Sequence, residues 1–172
     1  MAVSRAAKTE AESVAASRAK LLVIVRKLRP LADDGVLSDI GAVYADQYKA
    51  LGSKSLALCY QYASGVGNTV APSDIPEALI QRENDINRRV VETALNRAAV
   101  NATVSEALWK KVGTVLASKG VRSEQFDLLS TATVPTEKYG DYCATVTMLF
   151  REISKLPQNE AGILMRDVLA AK

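Results

Sequence analysis

Across Leu37-Ser38-Asp39-Ile40-Gly41-Ala42-Val43-Tyr44-Ala45-Asp46-Gln47-Tyr48-Lys49-Ala50-Leu51, the large apolar and aromatic residues fall at 37, 40, 43, 44, 48 and 51. Steps of three and four place them on one face of an α-helix, and Gly52 marks its expected end. The same period runs through most of the chain, and no stretch shows the two-residue alternation of a half-buried strand. Working toward the C-terminus, a short helix is expected from Ser55 to about Ser64. The glycines of 65–72 then read as a loop. They have neither dinucleotide-binding spacing nor a following Gly-Lys-Ser/Thr, so a phosphate cradle is excluded.

Asp74 with Glu77 three residues on predicts a capped start for the next helix, with Ile80, Ile86, Val90 and Ala94 along one side. Thr103 with Glu106 repeats the signal, so a break is expected near Asn101. Val104, Leu108, Val112, Val115 and Leu116 then face inward until Gly120 ends that helix. Ser123 is read as the cap of a short helix holding Phe126, Leu128 and Leu129. Beyond Pro135 a helix should bury Tyr139, Tyr142, Cys143, Val146, Leu149, Phe150 and Ile153. Pro157 separates it from a last helix bearing Ile163, Leu164 and Val168. Toward the N-terminus, a long first helix should run from about residue 3 to 28 and stop before Pro30. Its second half is apolar enough for burial, whereas residues 1–20 read as a projecting arm. The expectation is all-α, a compact bundle of about six to eight helices forming one domain over 1–172 with a long N-terminal helix.

Composition supports this and narrows the function. Apolar residues make up 48% of the 172 but aromatic ones only 5%, so helices should pack closely through small side chains. The longest apolar run, Leu21 to Val25, is far below the ~20 residues a membrane span needs. Glu10 and Glu12 interrupt the segment where a signal peptide would be continuous and apolar, so a cytoplasmic protein is expected. Cys59 and Cys143 lie in apolar helical patterns and are read as two buried, reduced thiols. With no histidine, triad chemistry and histidine-based zinc sites are excluded. No catalytic residue, metal site or cofactor is expected. The acids Asp33, Asp34, Asp39 and Asp46 are read as solvated rather than catalytic.

Charge is the stronger lead. Residues 1–29 carry seven Lys/Arg against two acids, and 82–122 carry eight against four. Residues 30–81 and 123–172 are net acidic, so the formal charge of +3 hides two basic segments. At 100° per residue, Arg82, Arg89 and Arg97 share a broad arc with Arg88 toward its edge. Lys110 and Lys111 lie on the next helix, and Arg18, Arg26 and Arg29 share one side of the first, with Lys27 on another. Cations grouped on one face grip phosphates without reading bases. The competing reading is that these charges solvate exposed faces and pair with Glu83, Asp85, Glu92 or Glu106. Trp109, Tyr60 and Tyr62 could stack on bases, but at helical spacing they are read as core or interface residues.

Arg26-Lys27-Leu28-Arg29 followed by Leu37 to Tyr44, the run Ala57 to Gly65, and Arg88-Arg89-Val90 followed by Glu106, Leu108, Val112, Leu116 and Gly120 resemble the small all-helical subunit of multisubunit (class 1) CRISPR RNA-guided surveillance complexes. The resemblance covers most of residues 26–120. It implies a non-catalytic subunit that assembles as a dimer or short filament and holds guide and displaced strand through Arg26, Arg29, Arg88 and Arg89. The expected partners are RNA or single-stranded DNA, other copies of the chain and other protein subunits, with no membrane. The alternative is a self-assembling structural protein, such as a coat or nucleocapsid subunit in a virion. A helical adaptor whose charged blocks pair with those of a protein partner is a third reading.

Overall fold

Asp33 begins the central helix, because its carboxylate accepts the Val36 amide at 2.8 Å and satisfies a donor that the first turn leaves free. A computed structural model describes residues 23–66, 70–95 and 106–170, which form helices and, among the described residues, no strand. α1 is described over 23–28 and passes into a 3-10 turn, Arg29–Leu31, that contains Pro30. The expected arm, 1–20, lies outside the described residues. There follow α2 (Asp34–Lys54), α3 (Leu56–Ser64), α4 (Glu77–Ala94), α5 (Glu106–Ser118), α6 (Ser123–Ser130), α7 (Tyr139–Ser154) and α8 (Gln158–Ala170). The chain is an all-α bundle.

α2 is the axis. Its expected face, Leu37, Ile40, Val43, Tyr44, Tyr48 and Leu51, is buried. α7 runs antiparallel along it: Ser38 Oγ donates to Ser154 O at one end, and Cys143 Sγ meets Leu56 O just past the other. Phe150 of α7 lies edge-on to Tyr48, with ring centroids 5.4 Å apart. α4 is also antiparallel to α2, as the pairs Asp46–Arg82 and Asp39–Arg89 require. α8 closes the N-terminal end of α2, where the Met165 sulfur comes so close that a Cβ at Gly41 would crowd it.

Several expected boundaries move. α2 does not stop at Gly52 but runs to Lys54. Among the described residues only Gly65 and Gly120 adopt positive φ, and these close α3 and α5. Ser55 joins the first two complete helices, its amide bonding Leu51 O and its hydroxyl accepting the Leu58 amide. Asp74 does not cap α4. Its carboxylate accepts the Ala71 amide inside a separate 3-10 turn, Pro72–Asp74, and α4 starts at Glu77 after Pro76. Ser123 is the first residue of α6 rather than its cap, and the Gln125 side chain accepts the Arg122 amide instead. Thr103 lies outside the described residues.

The two cysteines are a correction. Both are buried as expected, but they are bonded to each other. α3 and α7 pack together at the C-terminal end of α2, bringing residues 84 apart in sequence to a Cα–Cα distance of 6.2 Å, within disulfide reach. Nothing in the local pattern around either cysteine encodes that proximity.

Candidate nucleic-acid interface

α1 and the turn that follows it meet the bundle through Val25, Leu28 and Arg29, which turns Val23, Ile24, Arg26 and Lys27 outward. Arg26 and Lys27 are exposed and have no ion-pair partner among the described residues. Val23 and Ile24 beside them are 54% and 53% exposed, so this end of α1 presents two cations flanked by apolar side chains.

Arg29 is placed otherwise. It is buried, with its guanidinium 5.4 Å from the Tyr44 ring centroid and donating to the Tyr44 hydroxyl, to Glu83 Oε1 at 3.3 Å and to Asn87 Oδ1 at 3.1 Å. Glu83 also accepts Gln47 Nε2 at 2.9 Å, and Gln47 Oε1 accepts the Tyr62 hydroxyl at 2.9 Å. The charge that seemed free in the sequence instead pins the end of α1 to α2 and α4, and through Glu83 and Gln47 to Tyr62 of α3. Arg29 cannot leave this network for a phosphate without stranding Glu83 in a partly buried place.

The α4 cations are held by their own chain. Arg82 lies 2.9 Å from Asp46, which also receives Arg151 at 2.8 Å. Arg89 meets Asp39 at 2.6 Å. Arg88 makes only an exposed pair with Glu92 one turn away, at 3.3 Å, the kind of contact that holds a side chain weakly. On α5, Lys111 reaches Glu160 of α8 at 2.5 Å. Lys110 is exposed with no ion-pair partner among the described residues. Arg18 and Arg97 lie outside them. The reading of Asp39 and Asp46 as merely solvated acids is therefore replaced: they are the counterions of α4 and α7, and Asp33 is a helix cap.

The nominated aromatics are not a stacking platform. Tyr60 is buried, stacked on Tyr139 at 4.2 Å, with its hydroxyl accepting the Val134 amide. Tyr62 packs edge-on to Tyr48. Trp109 donates from Nε1 to Asp167 at 2.8 Å, tying α5 to α8. Burial raises the hydroxyl pKa of Tyr62, and the nearby Glu83 adds to that rise.

Sequence reasoning missed Arg166, whose side chain is almost wholly buried. It donates to Pro30 O at 3.0 Å and Ala32 O at 2.8 Å and pairs with Asp34 at 2.7 Å, clamping the turn between α1 and α2. Its only signal was a basic residue between Met165 and Val168 on a face otherwise apolar. Among the described residues no group of three or more His, Cys, Asp or Glu could hold a metal ion, and no helix is long and apolar enough to cross a membrane. No protein-family model, curated protein or solved structure matches the chain.

Proposed function

We propose that this chain is a non-catalytic helical subunit of a nucleoprotein assembly that grips the phosphate backbone with the cationic end of its first helix. The observation that carries the reading is the contrast between cations. Arg82, Arg89 and Lys111 are bound to Asp46, Asp39 and Glu160, whereas Arg26 and Lys27 stand in solvent beside one another. The basic residues Arg18 and Lys20 precede them in the same segment. Contacts of this kind give affinity that depends on salt and little on sequence.

The test is fluorescence anisotropy with a labelled single-stranded RNA titrated between about 50 and 200 mM salt, where loss of each phosphate contact lowers the log–log slope by ~0.7 on single strands. Arg26→Ala with Lys27→Ala is expected to weaken binding and reduce that slope by about 1.4. Arg82→Ala with Arg89→Ala should leave the slope unchanged. Salt-independent binding, or no binding by the parent protein, rejects the reading.

A second reading, a self-assembling structural protein, is supported by the exposure of Val23 and Ile24, an apolar pair suited to contact between protomers. Light scattering of nucleic-acid-free protein separates the two. Polymers or shells favour the coat, and a discrete monomer or dimer favours the subunit.

A further inference from the structure

We propose that the Cys59–Cys143 cross-link is a redox-sensitive latch on α3 and, through α3, on the seat of α1. At nine residues, α3 is too short to persist as a helix by itself. It is bounded by extended Ser55 and by Gly65 at φ 73°, so its place depends on what anchors it. The first of its anchors is the cystine to α7; the others include Tyr60 stacked on Tyr139, edge-on to Tyr142 and bonded to the Val134 amide, buried Ala63, and Tyr62, which packs edge-on to Tyr48 and bonds Gln47 through its hydroxyl. Only the first is covalent. The Tyr62 anchor continues through Gln47 to Glu83 and from Glu83 to Arg29, the residue that seats α1.

A dithiol reductant breaks the S–S bond by supplying two electrons and two protons. Two thiols form and the reductant closes to its own disulfide; a disulfide-carrying oxidant reverses the exchange. The reduced sulfurs remain in an apolar setting, where Leu56 O, 3.7 Å from Cys143 Sγ, offers an acceptor to a thiol. Reduction removes the covalent tie between α3 and α7, so excursions of α3 away from α7 are no longer opposed by it. When α3 leaves, Tyr62 leaves Gln47, and the polar network under α1 loses one of its fixed ends.

The experiment uses the full chain after equilibration in a glutathione redox buffer. Alkylation under denaturing conditions should find no free thiol before treatment with a dithiol and two after it. Native-state hydrogen exchange should then show Leu56–Ser64 exchanging about tenfold faster, or more, in the reduced protein, a modest share of the constraint expected from a cross-link spanning 84 residues. Residues 23–31 should quicken with it, while Gln158–Ala170 stays unchanged. Cys59→Ala with Cys143→Ala should show the reduced pattern and ignore the reductant. If that variant does not fold, the reductant arm on the parent chain still decides. Two alkylatable thiols in the untreated protein, or unchanged exchange in α3, overturns the latch. Faster α3 with unchanged 23–31 overturns its coupling to α1.

Discussion

At the residue scale, the tightest constraint is the meeting of Gly162 with Asp34. Asp34 opens α2 and pairs with Arg166, one turn along α8 from Gly162. Its Cβ and carboxylate lie directly over Gly162, so that a Cβ added there would run into them. Gly162→Ala should therefore displace Asp34 from Arg166, leaving the buried guanidinium with its two backbone carbonyls but without its counterion. Overpacking of this kind is expected to destabilise by about 1–3 kcal/mol. Alanine's better helix propensity, worth about 1 kcal/mol over glycine, works in the opposite direction and offsets part of that cost. Urea unfolding followed by circular dichroism measures the difference, and a variant as stable as the parent would show that the turn yields without loss.

At the element scale, the turn that ends α5 is tied to α7 by Glu152, whose carboxylate accepts Lys119 Nζ at 2.8 Å and Lys155 Nζ at 2.7 Å. Burial pushes the Glu152 pKa up, but the hydrogen bonds from Lys119 and Lys155 and their charges together outweigh it, so the carboxyl titrates below its ordinary value. A depressed carboxylate pKa stabilises the fold above the unfolded pKa, near 4.3 for Glu. That contribution is lost as pH falls through the folded value. Glu152→Gln should accordingly lower the Tm at neutral pH, and the gap from the parent should close below about pH 4. Thermal melts across that range check it, and a gap that persists in acid would assign the loss to packing.

Most of these elements could be read from their period. The buried sides of α2 and α7 fall at the expected positions, because burial of an amphipathic helix is encoded locally. What could not be read was set by residues distant in sequence. Arg29 and Glu83 are 54 positions apart and Arg89 and Asp39 are 50, so a list of basic residues does not distinguish a cation seated in the bundle from one facing solvent. Arg26 lies on the exposed side of α1, whereas Arg29, three residues on, is buried in the 3-10 turn that follows it. Gly52 and Asp74 carried ordinary punctuation signals, but tertiary packing carried α2 past the first and a proline-led turn used the second.

At the scale of the whole molecule, the interior holds Tyr44, Tyr48, Tyr60 and Tyr142 beside its aliphatic residues. Four of the six tyrosines have raised pKa values. Burial raises Tyr44, which Arg29 only partly offsets. It raises Tyr48 well above its ordinary value and raises Tyr62. Burial with the neighbouring Tyr60 pushes Tyr142 up to about 12. An unfolded tyrosine ionises near 10. Above that pH the unfolded chain releases these protons while the folded chain retains them, so the unfolded state binds fewer protons and stability falls as pH rises. The contribution is complete below about pH 10 and is lost as pH climbs toward the folded values. The bundle should therefore unfold cooperatively in alkali, and ionisation of these tyrosines should wait for the unfolding. Near-ultraviolet tyrosinate absorbance and far-ultraviolet circular dichroism, followed through the same titration, should show a shared steep transition above pH 10. If all six tyrosines ionised near 10 with the helices intact, Tyr44, Tyr48 and Tyr62 would have to be reached by water in the native state, and the core drawn around Phe150 would be wrong.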